Sequence, residues 1–151
     1  MWVRRGPRTL RHGVIVATVL LFTLALGANV QAMAGMRGRM LHLINDVRSK
    51  HGERDLKLSP PISDDAHHHS RVMADRGYMF HTTDVPQLLG SRPWSVWGEN
   101  IAKERTVIST FRAWMRSPEH RVNILNSRFR YVGVGLFTKG GWLWSTNDFW
   151  G

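Results

Sequence analysis

The sequence predicts an α+β domain in which helices surround a small antiparallel sheet. Apolar residues at helical spacing mark the first half of the domain, most clearly in the stripe over 36–50. Near the C-terminus, two alternating and β-rich segments, 131–137 and 142–149, flank a turn at 139–141 and predict a hairpin. The length of 151 residues suits one domain, and the 42% of apolar residues can build its core.

Proline and glycine set the other expected boundaries. Pro60 and Pro61 interrupt the helical pattern, and Gly77 ends the next helix. Ser117 and Pro118 are typical of a helix start. The remaining predicted elements are a loop over 56–61, a helix from Ser63 or Asp64 to Arg76, a loop over 84–96, a short strand over 96–102, a helix over 106–116 and a short helix over 117–125.

The first 34 residues have the pattern of a secretory signal. Four arginines and no acidic residue precede an apolar run from Val14 to Leu26, and small and polar residues follow. Small residues at −1 and −3 place cleavage after Ala34 or after Ala32. An uncleaved anchor is the alternative, although the apolar run is shorter than the about 20 residues of a spanning helix. We expect a signal peptide over 1–34 and a secreted or cell-envelope domain over 35–151.

The composition excludes several classes of protein. The chain has no cysteine, so a disulfide scaffold, a thiol nucleophile and a cysteine-bound metal are ruled out. Its formal net charge is +10. Because we expect export, the basic excess predicts an anionic envelope polymer, a lipid head group or simply a solvated face, and not nucleic acid. The domain is expected to be a monomer.

Any site must assemble from residues that are distant in sequence, since the chain contains no HExxH, P-loop, GxSxG or GxGxxG motif. The candidates are polar residues within apolar segments: His81, Glu99 and His120. Two imidazoles and a carboxylate would make a zinc shell with one open position. The alternative is that each histidine is an ordinary surface or hydrogen-bonded residue.

Two other features have competing interpretations. Glu119 lies in the first turn of a helix, where a negative charge is favourable, and helical neighbours diverge by about 100°. It therefore need not share a site with His120. The three consecutive histidines cannot chelate together for the same reason. We expect His69 to point inward and His67 and His68 to lie in solvent.

Two segments are specific enough to indicate a family: WGENIA at 97–102 and WMRSPEHRVNIL at 114–125. Further matching pieces, in order along the chain, are 43–48, 69–74, 80–82, 132–135 and 144–149. Together they resemble the CAP superfamily, or SCP domain, which comprises cysteine-rich secretory proteins, insect antigen 5 and plant pathogenesis-related 1. More narrowly, the chain resembles the short bacterial members that are poor in cysteine.

The resemblance implies an α-β-α sandwich with a central cleft lined by two histidines and two glutamates. By motif, His81 and His120 are the histidines and Glu99 is one glutamate. In members that hold a metal, the histidines bind it, commonly as zinc. Glu119 is the candidate for the second glutamate, because the segment that carries that residue in eukaryotic members is contracted here.

A shared fold does not fix function. The expected export, the positive charge, the tryptophans and the absence of a nucleophile motif favour a secreted single-domain binding module for a lipid, wall polymer or peptide rather than a conventional enzyme. The resemblance adds a divalent metal such as Zn²⁺ in the cleft. One alternative is a zinc-dependent hydrolase in which Glu99, with Glu119 as a second catalytic candidate, acts as general base on metal-bound water. Another is a structural envelope protein whose cleft residues only stabilise the fold.

Overall fold

We describe the protein from a computed structural model that covers the backbone of residues 11–151 and the side chains of residues 30–151. The chain forms two compact units, Met1–Ala34 and Gly35–Gly151. The expected signal peptide over 1–34 lies mostly outside the residues whose side chains are described. Among the described residues, no helix has the length and apolar character needed to cross a membrane.

The domain contains one four-stranded sheet, in the order β1-β3-β4-β2. β3 and β4 form the predicted hairpin, and β2 pairs antiparallel with the other side of β4. β1 pairs parallel with β3, so the sheet is mixed and not purely antiparallel as expected. In chain order, the elements are α1 (Arg11–Lys50), β1 (Lys57–Leu58), α2 (Pro60–Arg76), α3 (Val85–Leu89), β2 (Trp97–Glu104), α4 (Val107–Arg116), α5 (Pro118–Ile124), β3 (Tyr131–Lys139) and β4 (Trp142–Trp150).

Prolines begin two helices where the sequence predicted loops. α2 starts at Pro60, ahead of the expected Ser63 or Asp64, because prolines in the first turn forfeit no intrahelical hydrogen bond. α3 lies within the expected loop over 84–96, and its N-cap Asp84 accepts a hydrogen bond from the Gln87 backbone N–H at 2.9 Å. α1 also begins before the expected residue 36, since no proline between 11 and 35 interrupts it.

Helices cover both faces of the sheet. α1, α4 and α5 contribute to a core on one face that includes Met40 and Trp114. α2 and α3 cover the other face with smaller clusters, which include Ile62 and Met73. This arrangement confirms the α-β-α sandwich, and it leaves β2 at the edge of the sheet between the two helical layers.

α2 lies closer to β3 than a side chain on the strand would permit. A Cβ at Gly135 would lie 2.0 Å from the carbonyl carbon of Ala66, and one at Gly133 would lie 2.5 Å from Ile62. The Ser63 hydroxyl accepts a hydrogen bond from the Val134 backbone N–H at 3.0 Å. The two glycines therefore set the distance between the helix and the sheet.

A buried arginine joins the end of α1 to the end of α5. Arg48 is fully buried. Its Nη1 donates to the carbonyl oxygens of Ile124 at 2.8 Å and Asn126 at 3.0 Å, and its Nε donates to that of Arg54 at 2.7 Å. These hydrogen bonds fix the position of α5 and compensate part of the cost of burying the charge, while the buried Nη2 has no hydrogen-bond partner among the described residues.

Replacing Gly135 by alanine tests the close contact between α2 and β3. We expect Gly135→Ala to destabilise the protein by roughly 1–3 kcal/mol, because the new methyl group would overlap the backbone of α2. Urea denaturation measures the change. Gly38→Ala is the matched control, since a Cβ at that helical position meets nothing within 4 Å. Equal stability of the two variants would contradict the proposed contact.

Candidate functional site

The site is organised around a buried carboxylate on the edge strand. Glu99 lies on β2 and is only 6% exposed. Its Oε1 and Oε2 accept hydrogen bonds from the Thr82 backbone N–H at 2.7 and 3.2 Å. A buried carboxylate needs such donors, because burial without them is costly. The contact also fixes the segment that carries His81.

His81 lies against Glu99 on the α2 side of the sheet. Its Nδ1 is 3.5 Å from Glu99 Oε2, and its side chain is 59% exposed. Gly77 ends α2 in the left-handed conformation, with a φ of 82°, and turns the chain toward this segment. Nε2 of His69 lies 2.8 Å from the carbonyl oxygen of Phe80, which anchors the residue before His81.

His120 approaches from the other helical layer. It is half-buried on α5, and its carbonyl oxygen accepts a hydrogen bond from Asn100 Nδ2 at 3.0 Å. Burial lowers the pKa of His120 below its ordinary value, and the nearby charge of His81 lowers it further. Glu119 acts in the opposite direction. The imidazole of His120 is therefore biased toward its neutral form, which is the form that binds metals.

Side chains of α4 and α5 cover the free edge of β2. Asn123 Nδ2 donates to the carbonyl oxygen of Glu99 at 3.2 Å and to Asn100 Oδ1 at 2.9 Å. Trp114 Nε1 donates to the carbonyl oxygen of Ile101 at 3.1 Å. An open strand edge otherwise invites pairing with other chains. Here the same hydrogen bonds also place His120 beside the strand that carries Glu99.

The sequence did not identify Asp148 as a site residue. Asp148 pairs with Glu99 across β2 and β4 and is 1% exposed. Burial raises its pKa well above the ordinary value, and the charge of Glu99 raises it further. Its Oδ1 is buried without a hydrogen-bond partner among the described residues. A charged residue within a segment predicted to be a β-strand was the available signal, but only the strand register shows that it faces Glu99.

The remaining candidate residues are less closely connected to the cleft. Glu119 is exposed in the first turn of α5 and acts on His120 through its charge. Among the three consecutive histidines, His68 is exposed as expected, whereas His69 is half-buried at the wall of the cavity beside Thr82 and is not in the core. His67 is not solvated as expected, because its Nδ1 lies 2.7 Å from the Leu136 carbonyl oxygen and its ring packs edge-on against Phe137.

A cavity of about 360 Å³ opens beside Thr82, between α2 and α3. Its walls combine apolar side chains with both signs of charge. The lining residues that carry polar groups include Asp65, His68, His69, Arg76, Thr82 and Asp84.

The two imidazoles of the cleft lie close enough for the charge of His81 to lower the pKa of His120. Glu99 Oε2 lies 3.5 Å from Nδ1 of His81, the position from which a carboxylate orients a metal-binding imidazole. No three His, Asp or Glu side chains in the described part of the chain form a metal-binding group. Catalytic zinc sites usually have three protein ligands.

Comparisons with known proteins agree with this architecture. Residues 41–147 match the family model described as CAP, the Cysteine-rich secretory protein family. The uncharacterized protein YkwD of Bacillus subtilis is 34% identical in an alignment of 115 residues that covers 71% of this chain and 44% of that protein. This chain therefore spans less than half the length of that relative.

Solved structures show the same fold. An extracellular protein from Bacillus anthracis that contains an SCP domain has a TM-score of 0.68 and 29% identity, over 78% of this chain and 40% of that one. An outer surface protein from Borrelia burgdorferi has a TM-score of 0.63 and 18% identity, over 71% of this chain and 85% of that one.

Asp148 predicts an unusual pH dependence of stability. Because its pKa is raised on folding, the folded state holds a proton that the unfolded chain releases above pH 3.8. The contribution of Asp148 to stability is therefore largest below that pH and falls as the pH rises toward the folded-state pKa. We expect Asp148→Asn to gain in melting temperature relative to the parent protein as the pH rises.

Melting temperatures measured from pH 4 upward test this expectation. Asp64→Asn is the control, because Asp64 is an exposed carboxylate on α2. A difference between Asp148→Asn and the parent protein that stays constant with pH would show that Asp148 does not carry the proton.

Proposed function

Because the chain belongs to the cysteine-rich secretory protein (CAP) family, we propose that it is an extracellular or cell-envelope binding module whose ligand enters the cleft at Glu99. The observation that carries the proposal is the fixed geometry around this carboxylate. Glu99 is buried and held by a backbone N–H, with the exposed His81 on one side and the half-buried His120 on the other. Such a preformed arrangement suits recognition, since little must be ordered when a ligand binds.

The lining of the cavity beside Thr82 suits a ligand that has both charged and apolar groups. The cavity volume of about 360 Å³ lies in the range of small-molecule sites. Arg76 and Asp84 offer opposite charges, while Val72 and Leu88 are apolar. A peptide or a polar lipid has this combination of groups.

A divalent metal, such as Zn²⁺, would be held by His81 and His120. Glu99 would orient His81 through its Nδ1, and the bound metal would supply a positive charge for an anionic or carbonyl group of the ligand. Two protein ligands predict an exchangeable metal, which suits a module that binds through it.

Export of the domain is supported by two solved relatives, which are described as an extracellular protein and an outer surface protein.

A zinc-dependent hydrolase is the second candidate function. The contact between His81 Nδ1 and Glu99 Oε2, together with the lowered pKa of His120, favours it. Glu99 would accept a proton from the attacking water in that reaction. Against this role, both oxygens of Glu99 already accept hydrogen bonds from Thr82.

Zinc titration of the protein tests the metal site. We expect His81→Ala and His120→Ala each to abolish most of the binding measured by calorimetry at pH 7.5, because each removes one of two nitrogen ligands. His42→Ala is the control, since His42 is an exposed histidine on α1. Binding that is equal in all three variants would exclude the cleft as the metal site.

The variant Glu99→Gln separates binding from hydrolysis. The amide oxygen can still accept the Thr82 N–H, so the fold is retained while the negative charge is lost. For a binding module we expect zinc affinity to fall by about 10- to 100-fold, through the loss of support for His81. We also expect the parent protein not to hydrolyse peptide and ester substrates. Parent turnover that disappears in Glu99→Gln at saturating zinc would instead establish the hydrolase.

A further inference from the structure

Two exposed cations share one tryptophan ring at the far end of β2. Lys103 Nζ lies 5.1 Å from the centre of the Trp142 ring, and Arg105 Cζ lies 3.8 Å from the same centre. Both side chains are exposed, while Trp142 is partly buried beneath them. The two positive charges therefore lie against the same ring at the surface.

Additional contacts hold each cation in place. Lys103 Nζ also lies 4.7 Å from the centre of the Trp144 ring. Arg105 Nη1 donates a hydrogen bond to the Gly141 carbonyl oxygen at 3.0 Å. Because each cation is already positioned by an aromatic ring, a ligand that binds it has less side-chain freedom to restrict.

Neither charge is compensated by an acidic side chain in the described part of the chain. The ion pairs found there involve Arg37, Lys50, Arg71, His81 and Lys139. Glu104 follows Lys103 directly, but successive residues of a strand point to opposite faces. Both cations are thus available to pair with an anion from outside.

We propose that Lys103, Arg105 and Trp142 form a binding site for the phosphodiester groups of an anionic envelope polymer. Arginine and lysine both bind phosphate oxygens through charge-assisted hydrogen bonds. Residues 35–151 carry 17 Lys and Arg against 11 Asp and Glu, and this basic excess attracts a polyanion over a longer range than it attracts a single phosphate. Glu99 lies four residues away along β2, at about 13 Å, so this surface is separate from the cleft.

The apolar surface of the domain favours a polymer over a lipid bilayer. Insertion into a membrane interface requires exposed apolar side chains beside the cations. Trp142 is instead partly buried beneath the cations, and Trp144 is buried with 3% exposure. The large apolar side chains that are exposed in the described residues belong to other segments: Val30, Tyr78, Met79, Trp94, Val122 and Tyr131.

Binding of poly(glycerol phosphate) to the full chain tests the site. We expect the double variant Lys103→Ala/Arg105→Ala to bind about tenfold more weakly. We also expect the negative slope of log K against log salt concentration to become shallower by about 2. Lys50→Ala/Arg71→Ala is the matched control, because it removes the same charge from exposed cations that face acidic partners. The control should change the affinity by less than about twofold.

Two further variants test the role of the ring and of the charge. Trp142→Leu keeps both charges, and we expect a smaller loss of affinity because only the stacking is removed. Lys103→Arg/Arg105→Lys preserves both charges and should bind nearly as well as the parent protein. Zinc titration of Lys103→Ala/Arg105→Ala should be unchanged, so a failure of this proposal is distinguishable from a failure of the cleft function.

Three results would overturn the proposal. Equal weakening in Lys103→Ala/Arg105→Ala and in the matched control would assign the binding to overall charge. Tighter binding to phosphatidylglycerol vesicles than to the polymer would assign the surface to membranes. No binding of the polymer by the parent protein at low salt would remove the site altogether.

Discussion

The close contact between α2 and β3 is the constraint on which the rest of the structure depends. Gly133 and Gly135 leave room for the backbone of α2. At the same contact, the Ser63 hydroxyl accepts a hydrogen bond from the backbone N–H of Val134 on β3. The position of α2 then determines where Gly77 turns the chain, and so where His81 and Thr82 lie. The short distance between α2 and β3, which requires glycine at 133 and 135, therefore helps to position the carboxylate of Glu99.

The site exists because β2 lies at the edge of the sheet, between the two helical layers. His81 reaches Glu99 from the α2 side, while His120 arrives on α5 from the other side. An interior strand would separate these layers. The cost of the edge position is a row of unpaired backbone groups, and Asn123 and Trp114 satisfy two of its carbonyl oxygens. The residues that protect the edge thus also assemble the cleft.

Local sequence patterns predicted most of the helices and strands, because the formation of these elements depends on neighbouring residues. The hairpin, the helix that follows Thr106 and the short helix after Ser117 are confirmed within one or two residues. The predicted start of α2 was wrong, and so was the predicted loop in which α3 lies. In both places the interpretation of proline failed, because proline can either end a helix or begin one. The local sequence cannot decide between these uses; the packing of the flanking segments does.

The candidate site shows the same division between local and long-range information. The motifs identified His81, Glu99 and His120, but Asp148 required the register of two strands that lie far apart in sequence. The two carboxyl groups have opposite surroundings: Glu99 accepts backbone N–H bonds, whereas burial and the charge of Glu99 raise the pKa of Asp148. The raised pKa favours the neutral form of Asp148 and so lowers the negative charge beside Glu99. His81 lies against the carboxylate of Glu99, whose position the Thr82 N–H fixes, and this is the arrangement that orients an imidazole.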